Sequence, residues 1–87
     1  MEFEFDPAKS AVNKDKHGID SLEAQALWKD GKLLEYDVIH PSEPRFIAIG
    51  RLEGKHWTAV CTLRETRIRI ISVRRSRENE VGWYEGQ

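Results

Sequence analysis

At Lys32 the spacing of apolar residues along this chain switches from helical to alternating, and it does not switch back until Ser76. Upstream of the switch, Asp6-Pro7 reads as an N-cap with proline at the first helical position. Ala8, Ala11, Val12 and Asp15 then fall at helical spacing toward Gly18, where the helix should end under cover of Ile19. Asp20 with Glu23 is a capping box for a second helix, whose buried stripe is read as Leu22, Ala26 and Leu27 and which runs to Gly31. Downstream, Leu34, Tyr36 and Val38 share one face, a turn occupies His40 to Pro44, and Phe46, Ala48 and Gly50 alternate with Ile47 and Ile49. Glu53-Gly54 signals a hairpin into Trp57 to Thr62, and a turn at Arg64-Glu65 leads into Arg67 to Val73. Ser76 caps a last short helix, with Val81 and Tyr84 on one face and Glu78, Glu80 and Glu85 solvated. Phe3 and Phe5, alternating with acids, add a brief first strand. Two helices ahead of an antiparallel run predict an α+β fold, with helices on one face of the sheet and the other face partly open. Eighty-seven residues can close only one core, so residues 1–87 are read as a single domain.

Several function classes drop out early. The single cysteine, Cys61, lies in the apolar stretch Ala59-Val60-Cys61 and reads as a reduced core thiol, which points to the cytoplasm. No apolar run approaches the roughly 18 residues of a membrane-spanning helix, and the acidic start lacks the basic region of a signal peptide, so no membrane role and no export are expected. One Cys and three scattered His give no metal-ligand spacing, and no cofactor is expected. There is no glycine-rich phosphate loop, nucleophile elbow or DNA-reading helix.

Net charge is only -1, but it is unevenly placed. Residues 1–44 carry 5 Lys and 10 acids, residues 45–77 carry 9 Lys/Arg and 2 acids, and residues 78–87 carry 3 acids, which gives -5, +7 and -3. Eight of the nine central cations are Arg, whose planar fork suits phosphate. A polyanionic partner is the first expectation; an acidic protein segment would satisfy the same charges.

The order of short segments carries a family resemblance. Phe5-Asp6-Pro7 with Lys9 and Asn13, Lys16-His17-Gly18, Arg45 ahead of Gly50, Thr62 with Arg64, and Arg69-Ile70-Ile71-Ser72-Val73-Arg74-Arg75 followed by Glu80 and Tyr84 together resemble the BrnT toxins over nearly the whole chain. The resemblance implies a RelE/ParE-like α+β fold, an antiparallel sheet with N-terminal helices on one face and a short C-terminal helix. It also implies a type II toxin that is a metal-independent ribonuclease. Its partner would be a BrnA-like antitoxin with a ribbon-helix-helix part, in a two-plus-two complex that meets operator DNA only through the antitoxin.

RNA cleavage without a metal requires a base for the 2′-hydroxyl, neutralisation of the phosphorane and a proton for the leaving 5′-oxygen. Arg64, Arg74 and Arg75 are the candidates for phosphate stabilisation, against the plainer reading of a solvated basic rim. Because Arg74 and Arg75 leave the last strand in succession, one can face the open sheet surface and the other an edge. Lys16 and His17 are the proton-handling candidates; the same pair would complement the helix dipole if it were purely structural. Arg45, Arg67, Arg69 and Tyr84 are expected to contact RNA, with a core role as the alternative for Tyr84. Glu80 is read either as holding an Arg or as solvated, and Trp28 and Trp57 as core or antitoxin-facing. The rival functional class is a non-catalytic module that pairs with an antitoxin for transcriptional autoregulation. A related fold acting on a protein target such as gyrase is a third.

Overall fold

A computed structural model describes all of residues 1–87. Its elements are β1 (Glu2–Glu4), α1 (Pro7–His17), α2 (Ser21–Ala24) continued by a 3-10 turn (Gln25–Lys29), β2 (Leu34–Val38), β3 (Arg45–Leu52), β4 (Lys55–Arg64), β5 (Arg67–Arg75) and α3 (Glu78–Glu85). The five strands form one sheet in the order β1-β5-β4-β3-β2. β2 to β5 are an antiparallel meander, as the alternation predicts. β1 returns to the far edge and pairs with β5 in parallel, Phe3 opposite Ile68, which the sequence did not disclose.

Local chemistry accounts for the helix ends. Asp6 accepts the Ala8 and Lys9 amide hydrogens, Gly18 closes α1 in the left-handed region at φ 80, and Asp20 and Glu23 form both halves of the capping box. The buried face of α1 differs from the expected stripe. Val12 is exposed, and the residues buried against the sheet are Ser10 and Asn13, both of which satisfy backbone groups that the fold leaves unpaired. Leu22 is likewise exposed, whereas Leu27 is buried as expected and Ala24 joins it; α2 ends after four residues and tightens into the 3-10 turn, which changes the face presented to the sheet.

The main core lies between the helices and one sheet face, where Ile19, Ala24 and Leu27 meet Ala48, Trp57, Ala59, Cys61, Ile68, Ile70 and Val73. Trp57 is therefore core, and Trp28 packs at its rim edge-on to Phe3 at 5.0 Å. α3 covers part of the opposite face, setting Tyr84 against Ile47 and Ile49. The rest of that face is open. The result is the mixed α+β arrangement of the RelE/ParE-like group.

Candidate functional site

A single irregularity in β5 decides where the arginines point. Val60 pairs with Ser72 and Cys61 with Ile70, so Ile71 is an extra residue. The bulge lets Ile68, Ile70 and Val73 all face the main core, and beyond it the facing of every side chain is reversed from simple alternation. Arg74 consequently turns toward α3, and Arg75 turns toward the N-terminal helices.

Arg74 is fully engaged there. Its guanidinium donates to both carboxylate oxygens of Glu80 at 2.7 and 2.9 Å, and Glu80 also accepts from the Arg77 amide at 2.8 Å and the Thr58 hydroxyl at 3.1 Å. Of the two readings of Glu80, it holds an arginine and is not solvated: it is only 4% exposed. Burial pushes its carboxyl up, but the Arg74 guanidinium, the Arg77 amide and the Thr58 hydroxyl outweigh that and hold it at about 2. A guanidinium locked in this way anchors α3 to the sheet and has no fork left for phosphate.

Arg75 is exposed, takes part in no ion pair, and lies over the Trp57 ring at 5.5 Å from its centroid. It borders a cleft of about 410 Å³ whose wall also holds His17, Lys55, Glu53 and Glu23. His17 has no side-chain hydrogen-bond partner, whereas His56 is held by Glu85 at 2.6 Å and His40 lies within 3.2 Å of the Ser42 hydroxyl. His17 also opens onto a second groove of about 470 Å³ between α1 and the edge of β5, lined by Lys9, Val12, Asn13, Lys16, Ile71 and Ser72.

That groove exists because β1 covers only the first part of β5, leaving its later edge without a partner strand. Asn13 substitutes for one. Its amide donates to the Val73 carbonyl at 2.8 Å and to the Ile19 carbonyl at 2.7 Å, while its oxygen accepts the Val73 amide at 3.2 Å. This clasp fixes α1 along the strand edge with Lys9 one turn before Asn13 and Lys16 one turn after it.

The remaining candidate arginines, Arg45, Arg64, Arg67 and Arg69, gather at the far end of the open face. Thr62 is opposite Arg69, and Arg64 is opposite Arg67. Arg45, Arg64 and Arg69 share a cleft of about 330 Å³ with Lys9 and Thr62, whose hydroxyl donates to the Pro44 carbonyl. Arg67 stands beside it. Glu4 of β1 faces Arg64 at 3.5 Å, Arg67 at 3.7 Å and Arg69 at 3.3 Å, and Arg45 pairs with Glu43 at 3.4 Å. The Nε of Arg45 is buried without any hydrogen-bond partner.

Tyr84 lies apart from all of these. It is 4% exposed, and its hydroxyl donates to Asp30 at 2.6 Å. Burial first, then that bond, push the phenol up to about 12. Asp30 in turn receives the Lys32 and Arg51 amides, so Tyr84 locks α3 to the chain between the 3-10 turn and β3; the contact with RNA expected of it has no surface to act through.

The structure thus divides the expected residues into an Arg75–His17 cleft, a Lys16-lined groove and an Arg45–Arg64–Arg69 cleft, and withdraws Arg74 and Tyr84 into packing. The cations missed by sequence reasoning are Lys9 and Lys55. Lys9 carried a signal, since it lies at i and i+7 with Lys16 on one helix face; Lys55, beside the Glu53-Gly54 turn, carried none.

A family model described as the ribonuclease toxin, BrnT, of type II toxin-antitoxin systems matches residues 5–80. The chain belongs to the BrnT family. The match takes in both basic clefts and the groove between them, and membership brings with it the general role of a ribonuclease toxin in a toxin-antitoxin pair. No curated protein matches the chain.

Proposed function

We propose that this BrnT-family chain cleaves RNA by internal attack of the 2′-hydroxyl, with the reacting phosphate in the Arg75–His17 cleft. One observation carries the reading: only there does an imidazole without a hydrogen-bond partner share a cleft with a guanidinium that takes part in no ion pair. His17 accepts the 2′-hydroxyl proton as the new P–O2′ bond forms. Arg75 and Lys55 neutralise the phosphorane, and the Lys16 ammonium donates a proton to the 5′-oxygen as the P–O5′ bond breaks. The products are a 2′,3′-cyclic phosphate and a 5′-hydroxyl. Arg64, with Arg45 and Arg69, holds another phosphate further along the same RNA chain. Every role in the scheme falls to a side chain and none to a metal, and cleavage in EDTA tests that.

Silencing is proposed to come from a BrnA-like antitoxin bound in the cytoplasm as a two-plus-two complex. The open sheet face supports this, because Trp83 is 49% exposed and packs edge-on to Tyr36 at 5.5 Å, an aromatic anchor at the β2 side of the face whose other end carries the arginines.

The test is cleavage of a short RNA in EDTA by purified wild type, His17→Ala and Arg75→Ala. Wild type should yield a cyclic phosphate end, and each variant should lose about 100-fold or more in rate while melting at the wild-type temperature. Wild-type rates in both variants would refute the assignment, and so would cleavage that stops in EDTA and returns with magnesium.

A further inference from the structure

The three basic cavities are not separate. Lys9 and Ile71 line both the Arg45–Arg64–Arg69 cleft and the α1–β5 groove, and His17 lines both that groove and the Arg75 cleft. They adjoin in series along α1, from the Arg45–Arg64–Arg69 cleft through the groove at the β5 edge to the Arg75 cleft. Building on the ribonuclease reading, we propose that together they form a channel that is the binding track for single-stranded RNA, with Lys9 its phosphate contact between the two clefts and Lys16, beside His17, marking its catalytic end.

The spacing favours a nucleic acid. Lys9 and Lys16 lie seven residues apart on one face of α1. At 1.5 Å per residue that is roughly 10 Å, about three stacked nucleotides at 3.4 Å each. Asn13 holds the face carrying both lysines against β5, so their separation is fixed before any ligand arrives. With the clefts at either end, the track takes about four to six nucleotides. Its acids are few and partly engaged: Glu23 is bound to Lys14 at 2.7 Å and Glu43 to Arg45. The floor, Ile71 and Ser72, is the bulge itself, so the irregularity that aims Arg75 also shapes the bed for the chain leading to it. An acidic peptide would also be drawn to these charges, but its side chains would have to match a fixed separation that a sugar-phosphate backbone meets through its own repeat.

The experiment measures binding of 2′-O-methyl RNA, which lacks the attacking hydroxyl, to the full chain by fluorescence anisotropy. Affinity should rise with oligonucleotide length and level off at about five nucleotides. Lys9→Ala should weaken binding about 5-fold at 0.1 M salt and reduce the slope of log affinity against log salt by about 0.7, the value for one lost single-strand phosphate contact. Arg77→Ala, an equal change of charge at the start of α3 in a side chain that lines none of the three cavities, should do neither. Unchanged RNA affinity in Lys9→Ala would overturn the track, as would an equal loss in Arg77→Ala, which would signal a diffuse field. A Lys9 dependence seen with an octaglutamate peptide but absent with RNA would reassign the channel to an acidic protein segment. RNA that binds with the expected dependences and yet is not cleaved in its 2′-hydroxyl form would remove the nuclease reading and leave the track standing.

Discussion

Replacing Glu80 by Gln isolates the one buried charge pair in the molecule. Glu80 is 4% exposed and its carboxyl is held at about 2, against an ordinary 4.5. At 1.36 kcal/mol per unit, that difference is worth about 3 kcal/mol of folding stability. The folded state binds the proton more weakly than the unfolded chain does, so the contribution is complete above pH 4.5 and disappears as the pH falls through 4.5 toward 2. Glu80→Gln keeps the shape but leaves the Arg74 guanidinium, 22% exposed, facing a neutral amide. It should therefore lose about 3 kcal/mol at neutral pH, enough to lower the melting temperature by about 15 °C in a domain this small. Near pH 2 the wild type should have come down to meet it. Urea unfolding followed by tryptophan fluorescence at a series of pH values provides the measurement. A gap that stays constant from pH 7 to pH 2.5, or one below 1 kcal/mol at pH 7, would refute the reasoning. The same pair separates two neighbouring arginines: Arg74→Ala should abolish activity by loosening α3, and Arg75→Ala should abolish it with the fold intact.

Asn13→Ala removes three buried hydrogen bonds and orphans both backbone groups of Val73, so it should cost about 3 kcal/mol in denaturant; a loss below 1 kcal/mol would mean that α1 is held by other contacts. A Cβ at Gly50 would lie 3.0 Å from a Leu33 methyl and 3.3 Å from a Leu27 methyl, so Gly50→Ala should destabilise by about 1–3 kcal/mol. Gly82, inside α3 with nothing within 4 Å, should gain up to about 1 kcal/mol on the same change, and melting curves of the two variants should move in opposite directions. Burial, and to a lesser degree Glu35, push the Cys61 thiol up to about 12, so its labelling by a disulfide reagent at pH 8 should proceed only at the rate of unfolding; fast labelling of the native protein would contradict its place in the core.

Much of the fold was written locally. The Asp6-Pro7 start, the Asp20–Glu23 box, the glycine end at Gly18 and the alternation from Leu34 to Val73 each act within a few residues, and each appears where the sequence placed it. Sequence order also located the arginine-rich segment and, through the resemblance, the family. What sequence could not settle were relations between distant segments. The parallel pairing of β1 with β5 joins residues about 65 positions apart, and no local pattern encodes it. Asn13 and Ser10, and not Val12 of the expected apolar stripe, take the buried face of α1, because the strand edge and turn they meet present bare backbone groups. The facing of Arg74 and Arg75 turned on the bulge at Ile71. The adjacent Ile70-Ile71 pair hinted at a broken alternation, but only the pairing with Val60 and Cys61 shows which residue is extra. Side-chain facing along a strand has a period of two, so one inserted residue exchanges the roles of every group beyond it, and that exchange is fixed by the partner strand.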